Sequence, residues 1–238
     1  MRTIMVMNSK GGSGKTTIAT NLAGHYASDD TNVVLKDYDP QGSSSEWLKQ
    51  RPYALPTIHN LSAFKSSSLH VTRSWQLRLP AHTERLIIDT PAGVDLPRFM
   101  SIVRTADCIV IPVSPSSIDV RATVMFIHEL KKQLKLNPCK AEVGIVVNRA
   151  DIHSSAYQSL SRLLSNLDLV HVATLSQNEN YIRAAERGVS LLELDHQMVD
   201  KDKQEWAPLI QWLDGAAAPG VKINNSRFSY SNTRAVAS

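Results

Sequence analysis

Five runs of aliphatic residues punctuate the chain: Thr3 to Met7, Asn32 to Lys36, Leu86 to Ile88, Cys108 to Val113, and Glu142 to Val147. Each is short and nearly continuous, which predicts a strand buried on both faces, as in a parallel sheet. A sixth run, Leu169 to Leu175, carries His171 and Thr174 and is expected nearer a sheet edge. Between the runs the period lengthens. Ile18, Leu22 and Tyr26 recur at helical spacing, as do Ile118, Ala122, Met125, Leu130 and Leu134, and later Trp206, Leu209, Ile210 and Leu213. Strand and helix in alternation predict a doubly wound α/β fold, a mostly parallel sheet with helices on both faces and right-handed crossovers.

Two stretches break the alternation. Residues 51–82 carry Pro52, Pro56, Pro80 and the run Ser66 to Ser68, and are expected to supply one edge strand and one helix. From Gly215 onward, Ala, Gly, Ser and Asn without period predict a flexible tail over 215–238 behind one domain over 1–214. A composition of 42% hydrophobic and 20% charged residues excludes collagen and wholesale disorder. No apolar window approaches the roughly 18 residues of a membrane span, and the N-terminus lacks the pattern of a signal peptide, so a cytosolic protein is expected. Cys108 and Cys139 stand apart without CxxC spacing, against a disulfide framework or a thiolate metal site. The formal charge of +4 owes Lys222, Arg227 and Arg234 to the tail; without them 23 basic residues face 22 acidic ones, so any nucleic-acid surface must come from local arrangement.

The chemistry concentrates directly after the first strand, in Lys10-Gly11-Gly12-Ser13-Gly14-Lys15-Thr16-Thr17. Glycines let backbone N–H groups turn inward around phosphate oxygens at a helix N-terminus, Lys15 reaches the outer phosphates, and the Thr16 hydroxyl is placed to ligate Mg²⁺. The dinucleotide pattern GxGxxG fails, because Thr17 stands where its third glycine belongs.

With Lys10 before the paired glycines and Ser9 in place of the standard opening glycine, this segment resembles the deviant phosphate loop of the ParA/MinD family of ATPases. Three further segments resemble that family in the same order. Asp37-Tyr38-Asp39-Pro40-Gln41-Gly42 is similar to its DxDPQG segment, Leu86 to Gly93 to a Walker B strand and switch loop with Ala92 replacing a proline, and Asn148-Arg149-Ala150-Asp151 to the segment that holds adenine. Tyr181 to Leu192 looks like the family's late helix and turn.

The resemblance implies a fold, cofactors and roles. ATP and Mg²⁺ are the expected cofactors, with Gly11, Gly12, Ser13, Gly14, Lys15, Thr16 and Thr17 around the phosphates and Asn148 and Arg149 at the base. Thr16, Asp37 and Asp89 are expected at the metal, Asp39 at the attacking water, and Lys10 across a homodimer interface on the partner's nucleotide. The DPQG form resembles ParA more than MinD, and the tail lacks the apolar stripe of a membrane anchor, so the expected ATP state binds nonspecific DNA and is nucleoid-associated, without a membrane partner. Arg162, Arg183, Arg187, Lys201 and Lys203 are the candidate phosphate contacts, expected to form a shared basic band only once two subunits align. The first strand begins by residue 3, so no N-terminal helix-turn-helix domain is expected. Short forms of this kind position plasmids, chromosomal loci or carboxysomes with a cargo-bound adaptor of ParB-like role that stimulates hydrolysis. The alternatives are a MinD-like membrane-associated positioning ATPase and a metabolic ATP-dependent enzyme on the same fold.

Overall fold

The computed structural model describes residues 1–63, 78–136, 138–167 and 169–215. Its seven strands are β1 (Arg2–Val6), β2 (Val33–Asp37), β3 (Ile58–Ser62), β4 (Arg85–Asp89), β5 (Cys108–Val113), β6 (Glu142–Ala150) and β7 (Val170–Ser176). They form one sheet in the order β3-β2-β4-β1-β5-β6-β7, with every pairing parallel. The helices are α1 (Lys15–Ser28), α2 (Ser43–Gln50), α3 (Leu96–Val103), α4 (Ser117–Leu136), α5 (Ser155–Ser165), α6 (Asn180–Glu186) and α7 (His196–Leu213), with a 3-10 turn at Leu191–Glu193.

The period of two along β1 divides the core. Ile4 and Val6 join Leu22, Trp47, Ala184 and Trp206 from α1, α2, α6 and α7 on one face of the sheet. Met5 and Met7 join Met100, Ile127 and Leu160 from α3, α4 and α5 on the other. Each fully buried side chain of this size contributes about 1.5–3 kcal/mol. This three-layer arrangement explains why the strands read as unbroken aliphatic runs, since neither face of the sheet meets water.

Both edge expectations hold. β3 comes from the Pro-broken stretch and lies outside β2, and β7, with His171 and Thr174, closes the opposite edge. The helix expected within 51–82, the Ser66 to Ser68 run and the tail beyond Gly215 lie outside the described residues. The chain runs outward from β1 to β2 and β3, returns through β4, and then builds β5, β6 and β7 on the other side. β1 therefore sits where strand order reverses, and the crevice at the carboxyl ends of β1, β4 and β5 is where such sheets receive ligands.

Candidate nucleotide-binding site

Every sequence-marked segment opens onto that crevice. β1 leads into the loop from Ser9 to Gly14, which passes directly into α1. Gly12 and Gly14 take left-handed φ values of 75° and 97°. At Gly14 a side chain is excluded twice, because a Cβ there would also lie 2.0 Å from Asn148 Nδ2.

A residue that the sequence did not single out anchors the loop. Asn8 is wholly buried; its Nδ2 donates to the Pro112 carbonyl at 2.7 Å and to Thr123 Oγ1 at 3.0 Å, and its Oδ1 accepts from the Lys10 amide at 3.1 Å. The loop is thereby tied to the end of β5 and to α4. On its other flank the Gly93 amide donates to the Ser9 carbonyl at 2.8 Å, so the switch loop after β4 rests on the phosphate loop. Lys15 curls back over the loop, its Nζ donating to the Lys10 carbonyl at 3.2 Å. Burial lowers its pKa, opposed by the charges of Asp89 and Asp39.

The strand-end acids differ in a way their sequence positions do not reveal. Asp37 and Asp89 lie side by side in register, both fully buried. The Asp37 carboxylate accepts three hydrogen bonds, from the Asp39 amide at 3.0 Å and from Ser45 N and Oγ at 3.1 and 2.9 Å. Both oxygens of Asp89 are buried without a hydrogen-bond partner, and so is the neighbouring Ser44 Oγ. Burial pushes the Asp89 carboxyl up to about 7, with the Thr16 and Ser44 hydroxyls and Lys15 pulling it down and Asp37 pushing it further up. Orphaned buried acceptors of this kind call for an ion or water. The Thr16 hydroxyl and the Asp89 carboxylate are hard oxygen donors beside the glycine loop, a pairing that fits Mg²⁺. Strand alternation would carry Asp37 and Asp39 to one side of β2, but β2 ends at Asp37, so Asp39 does not project from the strand beside it. It sits in the following turn, partly exposed, with Oδ1 accepting from the Gln41 amide at 2.9 Å.

Asn148 and Arg149 lie beyond the aliphatic run but not beyond its strand. They belong to β6 itself, at a register shift against β7, and Arg149 takes a left-handed φ of 54°. This bulge aims Asn148 at the phosphate loop, where its Nδ2 donates to the Ser13 carbonyl at 3.0 Å. Its amide nitrogen is thus committed to holding the loop. Both residues still border a cavity of about 360 Å³ beside Thr17, closed by Gln177, Asn178 and Tyr181.

Residues 4–192 match the family described as CobQ/CobB/MinD/ParA nucleotide binding domain. The chain belongs to this family. It is 28% identical over 197 residues to maintenance of carboxysome distribution protein A of Halothiobacillus neapolitanus, across 81% of this chain and 87% of that one. Among solved structures, an ATP complex of Cyanothece McdA matches with a TM-score of 0.64 at 17% identity, over 91% of this chain and 97% of that one. The MinC:MinD cell division complex of Aquifex aeolicus matches with a TM-score of 0.69 at 17% identity, over 93% and 99%. The α/β fold is therefore the nucleotide-binding fold of the MinD/ParA family.

Within this family fold the five candidate DNA contacts do not share one surface. Arg162 rides on α5, across the sheet from Arg183 and Arg187 at α6 and from Lys201 and Lys203 on α7. Arg183 pairs with Glu179 at 3.1 Å and Lys201 with Glu205 at 3.6 Å. A basic line that the sequence reading missed runs along α4, where Arg121, His128, Lys132 and Lys135 are exposed at helical spacing. No helix among the described residues is long and apolar enough to cross a membrane.

Proposed function

We propose that this protein is a dimerising ATPase whose ATP state binds DNA without sequence preference and distributes a cargo, for which the carboxysome is the leading candidate. The observation that carries this reading is the unpartnered Asp89 carboxylate, buried beside Thr16 and Lys15 at the mouth of a glycine loop. Phosphoryl transfer needs positioning and charge neutralisation more than covalent chemistry, and these parts supply both.

Gly11 to Thr17 cradle the phosphates and Lys15 neutralises their outer charge. Thr16 and Asp89 hold Mg²⁺, which when bound neutralises phosphate charge. Asp37 supports that shell from behind through the loop and helix start it grips, a narrower part than a direct metal ligand. Asp39, held in its turn next to Lys15, orients the attacking water. Lys10 serves the partner's phosphates, offsetting the charge that two facing triphosphates bring to an interface. The cavity beside Thr17 receives the base, with Arg149 at its rim.

The carboxysome is favoured because the relative named for its distribution aligns across 81% of this chain. A cargo-bound adaptor of ParB-like role would then stimulate hydrolysis and release the protein from the nucleoid. DNA contacts are drawn from Arg121, Lys132 and Lys135 with Arg162 on one face, and Arg183, Arg187, Lys201 and Lys203 on the other. Binding to random-sequence duplex DNA, measured with no nucleotide, ADP and ATP across a salt series and beside anionic liposomes, tests the reading. ATP-dependent, salt-sensitive DNA binding is expected, each removed contact flattening the salt slope by about one. Liposome binding in its place moves the protein to a membrane-associated role, and binding to neither, once dimerisation is established, moves it to a small-molecule substrate.

A further inference from the structure

Ser44 stands one residue before the serine that binds Asp37, and its surroundings differ from those of its neighbour. Ser45 Oγ has three partners within reach: Asp37 Oδ2 at 2.9 Å, Asn60 Oδ1 at 3.3 Å and Ser62 Oγ at 2.9 Å. Ser44 is equally buried, at 0% exposure, yet its Oγ has no partner. The Asp89 carboxylate lies in register beside the Asp37 that Ser45 binds, close enough for the Ser44 hydroxyl to favour its ionised form, and its two oxygens are likewise without a partner. A buried hydroxyl and a buried carboxylate, adjacent and both unsatisfied, are unfavourable unless a third party or a small movement joins them.

We propose that Ser44 is a positioning residue for the divalent cation. With Mg²⁺ and nucleotide bound, its hydroxyl donates to one Asp89 oxygen, fixing the carboxylate so that the other is free for the cation. This rests on the nucleotide-binding reading above and extends it to a residue outside the matched motifs. Outer-shell hydrogen bonds to metal-holding carboxylates commonly govern metal affinity by 10- to 100-fold. Because α2 starts next to Ser44, the same bond would make the loop carrying Asp39 responsive to whether the cation is present.

The test separates cation binding from nucleotide binding. Affinity for a fluorescent ATP analogue is measured for the wild type and Ser44→Ala, first in EDTA and then as a Mg²⁺ titration, with thermal melting of the unliganded proteins alongside. The expected result is an unchanged affinity in EDTA, a similar melting temperature, and a Mg²⁺ midpoint raised about 10-fold. Ser44→Cys, which keeps the volume with a poorer donor, is expected to fall between and serves where alanine disturbs the fold. A Mg²⁺ midpoint unchanged in both variants, or a loss of affinity of equal size in EDTA and in Mg²⁺, overturns the proposal while leaving the ATPase reading intact. A wild type that binds no nucleotide under either condition overturns both.

Discussion

Replacing Asp89 by asparagine removes a charge that the unliganded fold holds at a disadvantage. The folded carboxyl ionises near pH 7, against 3.8 for the ordinary group, chiefly because the site is buried. Between those values the folded state binds a proton that the unfolded state has released, so wild-type stability falls as pH rises, by about 1.4 kcal/mol per pH unit. Below pH 3.8 the group has no effect, and above pH 7 its full penalty is present, with a ceiling of about 4 kcal/mol. The asparagine side chain cannot ionise. Urea unfolding in EDTA without nucleotide, at half-unit steps from pH 5 to pH 8, should show the variant gaining about 3 kcal/mol relative to wild type, most of it before pH 7. Titrating groups that do not interact with Asp89 cancel in this difference. Mg²⁺ with ATP should narrow the gap by stabilising the wild type more than the variant, which keeps the glycine loop but lacks the Asp89 charge. A difference that stays flat with pH, or a wild type more stable than the variant at pH 8 without ligand, would refute the claim that Asp89 is an uncompensated buried acid.

Asn8→Ala unties the phosphate loop from Pro112 and Thr123; we expect a loss of about 2–3 kcal/mol in urea unfolding and about 10-fold weaker nucleotide binding, and unchanged affinity would contradict the anchoring role. Gly14→Ala should be less damaging to nucleotide affinity when combined with Asn148→Ala, because the added Cβ meets the Asn148 amide; additive effects in the double-mutant cycle would exclude that contact. Arg51→Ala removes an ion pair held at 2.6 and 2.9 Å with both side chains about 5% exposed and leaves the Glu193 carboxylate only its hydrogen bonds from Ser28 Oγ and the Ser190 amide, and should destabilise the protein by about 2–3 kcal/mol; a loss below about 1 kcal/mol would mean that water reaches the pair.

What could be read from the sequence was local. The aliphatic runs, the glycine loop and Asp89 at the end of its strand all follow from patterns a few residues long, and each fell where expected. Asn8 was silent because its three bonds join residues up to 115 positions apart, and nothing in the run Met7-Asn8-Ser9 distinguishes an anchor from a strand end. Ser44 and Ser45 were indistinguishable in a run of three serines until packing gave one a full set of partners and the other none. The bulge that turns Asn148 inward arises from pairing with β7 and leaves no mark in the residue order. The basic residues of the C-terminal half lie apart within one chain for a topological reason: α5 and α6 follow one another in sequence but cover opposite faces of the sheet.

In the proposed function, nucleotide binding at this loop closes two chains around Lys10, and Asp39 is needed to reopen them. The most direct measurement is the solution mass of Asp39→Ala by light scattering, with no nucleotide, with ADP and with ATP plus Mg²⁺, beside Lys10→Ala. A mass of two chains for Asp39→Ala with ATP alone, and of one chain for Lys10→Ala under the same conditions, is the predicted result; a single-chain Asp39→Ala protein under saturating ATP and Mg²⁺ would contradict it.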